Sequence, residues 1–155
     1  MIWLCTSCGF HTRSAYNLPP SLKTIAVRMP GEDKGFQADI RQLLTSLNIR
    51  IKSNAPFVLN ISDISFSHSQ PNLISTEIAV TYNYTMTMTF SILKGEKKII
   101  PNKTLSASRN IIMNVNQVYT SAVTELARRE LSREIINLLY YQLISQEMKN
   151  ALQMR

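Results

Sequence analysis

The sequence predicts a two-layer α+β domain, a four-stranded sheet with two helices on one face, in the order β-α-β-β-β-α. Three stretches carry that prediction. Residues 78–92 alternate without a break: Ile78, Val80, Tyr82, Tyr84, Met86, Met88, Phe90 and Ile92 share one face. Ala79, Thr81, Asn83, Thr85, Thr87, Thr89 and Ser91 share the other. Period-two alternation of this length specifies a strand with one buried and one wet face, roughly 50 Å long at ~3.3 Å per residue. The second stretch is Phe36, Ile40, Leu43, Leu44 and Leu47, whose steps of three and four make the apolar stripe of an amphipathic helix over about 36–48. The third starts near Ser121, where Val123, Leu126, Ala127, Leu131, Ile135, Leu138, Leu139 and Leu143 form a broader stripe. No Gly or Pro follows Pro101, so one helix of about 30 residues is expected there.

The remaining elements fall between these. Residues 1–7 read as a leader remnant or irregular start, and residues 8–20 as a tether, because Ser14, Asn17 and the pair Pro19-Pro20 discourage regular structure. The folded domain spans 21–155. Its first strand covers Lys23 to Met29, and Pro30-Gly31 and Gly35 punctuate the turn after it. Asp33 sits near the start of the first helix, where a negative charge is favourable. In the second strand Phe57, Leu59 and Ile61 alternate in one phase, and Ile64 and Phe66 in the other. That slip predicts a β-bulge near Ser62-Asp63. Gln70-Pro71-Asn72 turns the chain, and Lys94 to Lys98, with Gly95, makes a hairpin. The last strand, about Ile99 to Asn114, carries Leu105, Ala107, Ile111 and Met113 in phase. Arg109 falls on that apolar face and needs a partner there.

Composition narrows the function classes. The chain has 155 residues, enough for one core without covalent staples, and a net charge of +7 that favours anionic partners. Cys5 and Cys8 lie at one edge, so no disulfide framework runs through the body. With only His11 and His68 elsewhere, the Cys-x-x-Cys lacks the further ligands of a structural zinc site. The four glycines form neither a phosphate loop nor a dinucleotide fingerprint, and no nucleophile has a plausible His base. We therefore expect no enzyme, no cofactor and no metal. No stretch approaches the ~20 apolar residues of a membrane-spanning helix.

Short motifs add a family. Cys8-Gly9-Phe10-His11 followed by Leu18-Pro19-Pro20, Arg109-Asn110-Ile111-Ile112 in the last strand, and Leu126-Ala127-Arg128-Arg129-Glu130-Leu131 in the last helix resemble LptE, together with the element order. LptE is an outer-membrane lipoprotein family of lipopolysaccharide (LPS) export. The resemblance implies an acyl anchor on Cys8, insertion into the lumen of the β-barrel LptD, help with that barrel's assembly, and binding of LPS. It also implies a periplasm-facing place on the outer membrane and no nucleic-acid partner. The neutral face Thr81, Asn83, Thr85, Thr87, Thr89 and Ser91 is the expected barrel interface. A crossover through the first helix makes the first two main strands parallel. The tether, Arg50, Lys52 and the hairpin Lys94, Lys97 and Lys98 then gather at one end, facing acidic headgroups, with Arg28 and Lys34 as basic contacts at the other. Two other readings stay open at this point. One is a basic α+β nucleic-acid-binding domain using aromatics on an open sheet. The other is an unrelated periplasmic lipoprotein with a protein-only interface.

The anchor is testable directly. Fatty-acid labelling of the full-length gene product in cells should vanish in Cys8→Ala, and equal labelling of variant and wild type would remove the anchor from this account.

Overall fold

In a computed structural model the described residues are 20–31, 34–69, 79–114 and 121–153. Their elements are β1 (Thr24–Arg28), α1 (Lys34–Ser46), β2 (Arg50–Ile51), β3 (Phe57–Ser69), β4 (Ala79–Lys94), β5 (Lys97–Asn114), α2 (Ser121–Leu143) and α3 (Gln146–Gln153). A 3-10 turn, Pro20–Lys23, leads into β1. The anchor position Cys8, most of the tether, Asp33 and Ile78 lie outside the described residues.

The strands form one sheet in the order β2-β1-β3-β4-β5. β1 runs parallel to β2 and β3, and β3, β4 and β5 are antiparallel neighbours. The α+β class and the parallel crossover through α1 are as the sequence predicts. The sheet has five strands instead of four, because the stretch around Arg50, to which the sequence reading gives no strand, adds a two-residue edge strand beside β1. The bulge expected near Ser62-Asp63 is present as a register shift between Ile61 and Asp63. It lets Leu59 and Ile61 on one side, and Ile64 and Phe66 on the other, keep facing the helices.

The helix layer packs on the face predicted to be core. Tyr84, Met88, Phe90 and Ile92 have no solvent exposure and Met86 has 2%, against Phe36, Ile40 and Leu44 of α1 and Leu131, Ile135 and Leu139 of α2. Each such side chain contributes ~1.5–3 kcal/mol by leaving water. α1 stops at Asn48, whose φ of 58° is left-handed. Asn48 N–H donates to Thr45 O at 2.9 Å and Ile49 N–H to Leu44 O at 2.9 Å. This double closure caps the last carbonyls and turns Ile49 into the core beside Leu44.

The C-terminal helix is shorter than predicted. It breaks after Leu143, and Ser145 starts α3 by accepting the Met148 N–H on its Oγ at 3.2 Å. A serine cap of this kind satisfies an amide that would otherwise be orphaned. The new helix direction puts Met148 into the core at 2% exposure. Two ion pairs bolt this layer to the edge strand: Arg109 of β5 to Glu130 of α2, and Lys103 of β5 to Glu147 of α3. Arg109 thus has the partner its core-side position calls for. Both pairs are partly solvated, so each is worth about 1 kcal/mol or less.

The two faces of β4 give a paired test. Met86→Asp buries an unpaired charge and should cost roughly 3–5 kcal/mol, whereas Thr87→Asp, on the open face, should stay within about 1 kcal/mol. Thermal unfolding of both variants measures this, and equal losses would show that the faces are assigned wrongly.

Candidate docking face

The side of the sheet away from the helices is a ladder of hydroxyl and amide side chains. The registers align Ser69, Asn83 and Asn110 across β3, β4 and β5, then Ser67, Thr85 and Ser108, then Ser65, Thr87 and Ser106, then Asp63, Thr89 and Thr104. Thr81 stands opposite Ile112, which is 71% exposed. Side chains bond to one another within three of these rows and between two of them. Ser65 Oγ and Thr87 Oγ1 are 2.7 Å apart, and Thr89 Oγ1 and Thr104 Oγ1 are 2.9 Å apart. Asn83 Nδ2 donates to Asn110 Oδ1 at 2.7 Å, and Thr85 Oγ1 donates to Asn83 Oδ1 at 3.1 Å. These bonds tie the side chains to one another while each hydroxyl oxygen and amide keeps hydrogen-bonding capacity for a second partner. Asp63 is the one charged residue in these four rows.

The sequence identified the β4 column of this ladder, and five of its six candidates, Thr81, Asn83, Thr85, Thr87 and Thr89, lie on the open face at least partly exposed. Ser91 does not belong with them, because it is fully buried. It faces Asn60 of β3, and on its other side β5 spends two residues, Pro101 and Asn102, against this one. A side chain of one hydroxyl is overtopped by neighbours in so crowded a place. Its Oγ has no hydrogen-bond partner among the described residues. The columns on β3 and β5 went unnoticed in the sequence. Their signal was present as Ser65, Ser67 and Ser69 at period two, and as Thr104, Ser106, Ser108 and Asn110.

The basic candidates divide differently from the sequence expectation. Lys94, Lys97 and Lys98 flank the hairpin at Gly95, where φ is +60°, and are exposed. Lys94 Nζ lies 5.9 Å from the Phe57 ring centre, and Lys98 Nζ donates to Asn102 Oδ1 at 3.1 Å. Arg50 and Lys52 are at the same end, with Lys52 N–H donating to Ile25 O at 3.0 Å. Arg28 is not at the opposite end. β1 is short, and Arg28 pairs in register with Asn60, nine residues along β3 from its last residue, Ser69. That interval is roughly 30 Å of strand. Arg28 instead shares the open face with Asn60, at the lower border of the ladder. Lys34 opens α1.

Among the described residues no three His, Cys, Asp or Glu side chains cluster as metal ligands. No described helix is long and apolar enough to cross a membrane, which says nothing of strands.

Neither a protein-family model nor a curated protein matches the sequence. Solved structures do resemble the fold. A minor lipoprotein from Acinetobacter baumannii is 18% identical, with a TM-score of 0.61 over 83% of this chain and 92% of that one. Rare lipoprotein B from Shewanella oneidensis is also 18% identical, with a TM-score of 0.58 over 82% of this chain and 94% of that one. An uncharacterised lipoprotein B from Nitrosomonas europaea, 11% identical, reaches a TM-score of 0.68 over 87% and 90%. This chain has the fold of these small bacterial lipoproteins. At such identities the likeness reaches the fold and stops there, so the docking face must be argued from its own chemistry.

Proposed function

We propose that this protein is an LptE-type lipoprotein of the outer membrane, which seats its hydroxyl ladder against the lumen wall of the β-barrel LptD, aids assembly of that barrel, and binds LPS during its passage to the surface. The observation that carries the reading is the ladder itself, with its three strands and its single carboxylate. A polar wall can meet such a face through direct or water-bridged hydrogen bonds, without stripping water from a set of charges. The likeness to rare lipoprotein B and the motifs around Cys8, Arg109 and Arg128 support the same reading. The excess of cations suits a phosphate-bearing lipid.

Nucleic-acid binding fits less well. Stacking platforms need exposed rings on an open sheet. Here Tyr84 and Phe90 are fully buried under the helices, and the ladder rows contain no aromatic residue.

The reading predicts that Thr87→Trp leaves folding intact and weakens barrel capture at least tenfold, a loss of about 1.4 kcal/mol. Affinity purification from membranes, followed by identification of the retained protein, measures it. Nucleic acid recovered with no barrel would replace this reading with the nucleic-acid one. A different envelope protein would point to an unrelated lipoprotein. Undiminished capture of the barrel by Thr87→Trp would refute the ladder as the interface.

A further inference from the structure

A notch of about 220 Å³ opens at the other edge of the sheet, lined by Val27 and Met29, by Gln37 and Arg41 of α1, and by Ile51 of β2. Its origin is the brevity of β2. Ile25 O accepts the Lys52 N–H, so the backbone of Ile25 faces β2. A parallel ladder alternates sides, which sends Ala26 and Arg28 toward β3 and Val27 back toward β2. β2 has already ended at Ile51. The Val27 amide and carbonyl therefore face the side on which β2 has already ended, and Val27 lines the notch. Gln37 and Arg41, four apart on α1, stand side by side along its wall. Gln37 Nε2 is drawn toward Gly31 O at 3.5 Å, where φ of +73° turns the chain from β1 toward α1. Arg41 has no carboxylate partner among the described residues. Glu32 and Asp33, which follow Gly31 in sequence, lie outside them.

We propose that this notch binds a phosphate or carboxylate group carried on an alkyl chain. The anionic end meets the Arg41 guanidinium and the Val27 N–H, two donors suited to an oxyanion. The first part of the chain lies on Val27, Met29 and Ile51. The size is adequate for that and for little more, since a cavity of ~150 Å³ holds one benzene ring. A larger groove of about 470 Å³ lies between α1 and α2, but Asp39 and Arg133 line it with opposite charges, so it selects no sign. The notch deepens the lipid half of the proposed function and rests on that reading only for where the ligand comes from.

The test is a titration of the full-length chain with dodecyl phosphate below its micelle concentration, followed by amide NMR. Inorganic phosphate and dodecyl maltoside serve as separate probes. Dodecyl phosphate should shift Val27 and Ile51, and either Arg41→Gln or Ile51→Ser should weaken it at least tenfold, which is about 1.4 kcal/mol. Both substitutions are at exposed positions and should leave the fold intact. Equal binding of inorganic phosphate would reduce the notch to a simple anion site, and equal binding of dodecyl maltoside would reduce it to an apolar one. Either result overturns the proposal, as does affinity unchanged by Arg41→Gln. Barrel capture by the wild-type chain separates the two claims: no binding of dodecyl phosphate with capture intact ends the notch alone, and binding of dodecyl phosphate without any barrel ends the docking reading alone.

Discussion

Strand β4 is paired along both of its edges, to β3 from Asn83 to Lys94 and to β5 from Ala79 to Lys94. Its backbone is therefore fixed, and its side chains have only two directions available. A slip by one residue would push Met86, Met88 and Phe90 into water and Thr85, Thr87 and Thr89 under the helices. The loss of several buried side chains at ~1.5–3 kcal/mol each forbids it. The same pairing that secures the core thus lays out the hydroxyl ladder on the reverse side. Folding and the proposed docking face depend on one alternation, and β3 and β5 follow it through their registers.

That dependence explains what the sequence reveals. Long alternation is its strongest signal, and both faces of β4 were legible from Thr81 to Phe90. The bulge was legible too, because it shows as a change of phase between Ile61 and Ile64. Features resting on one or two residues were not. β2 is two residues long, with no room for a period. The break at Ser145 rests on one serine cap, in a stretch without the Gly or Pro that would announce a helix end. Ser91 reads as one more open-face hydroxyl until the extra residues of β5 crowd it. The place of Arg28 required the relative lengths of β1 and β3, a property of the sheet that no single stretch encodes.

The distribution of charge gives the account its functional direction. Lys103 and Arg109 of β5 are spent on Glu147 and Glu130, on the helix side. The hairpin lysines are displaced to one end. What remains in the four rows is a neutral surface with one carboxylate, in a chain of net charge +7. Placing neutral hydroxyls and amides against a polar wall costs little desolvation, and waters can bridge imperfect fits. A charged face would make the same contact expensive unless every charge were paired.

The most direct measurement is photo-crosslinking in cells, from a photoreactive residue placed at Ser106 in the middle of the ladder or at Arg129 on the exposed side of α2. The account predicts that Ser106 captures an outer-membrane β-barrel with clearly higher yield than Arg129. Capture of that barrel from Arg129 with Ser106 silent would contradict it.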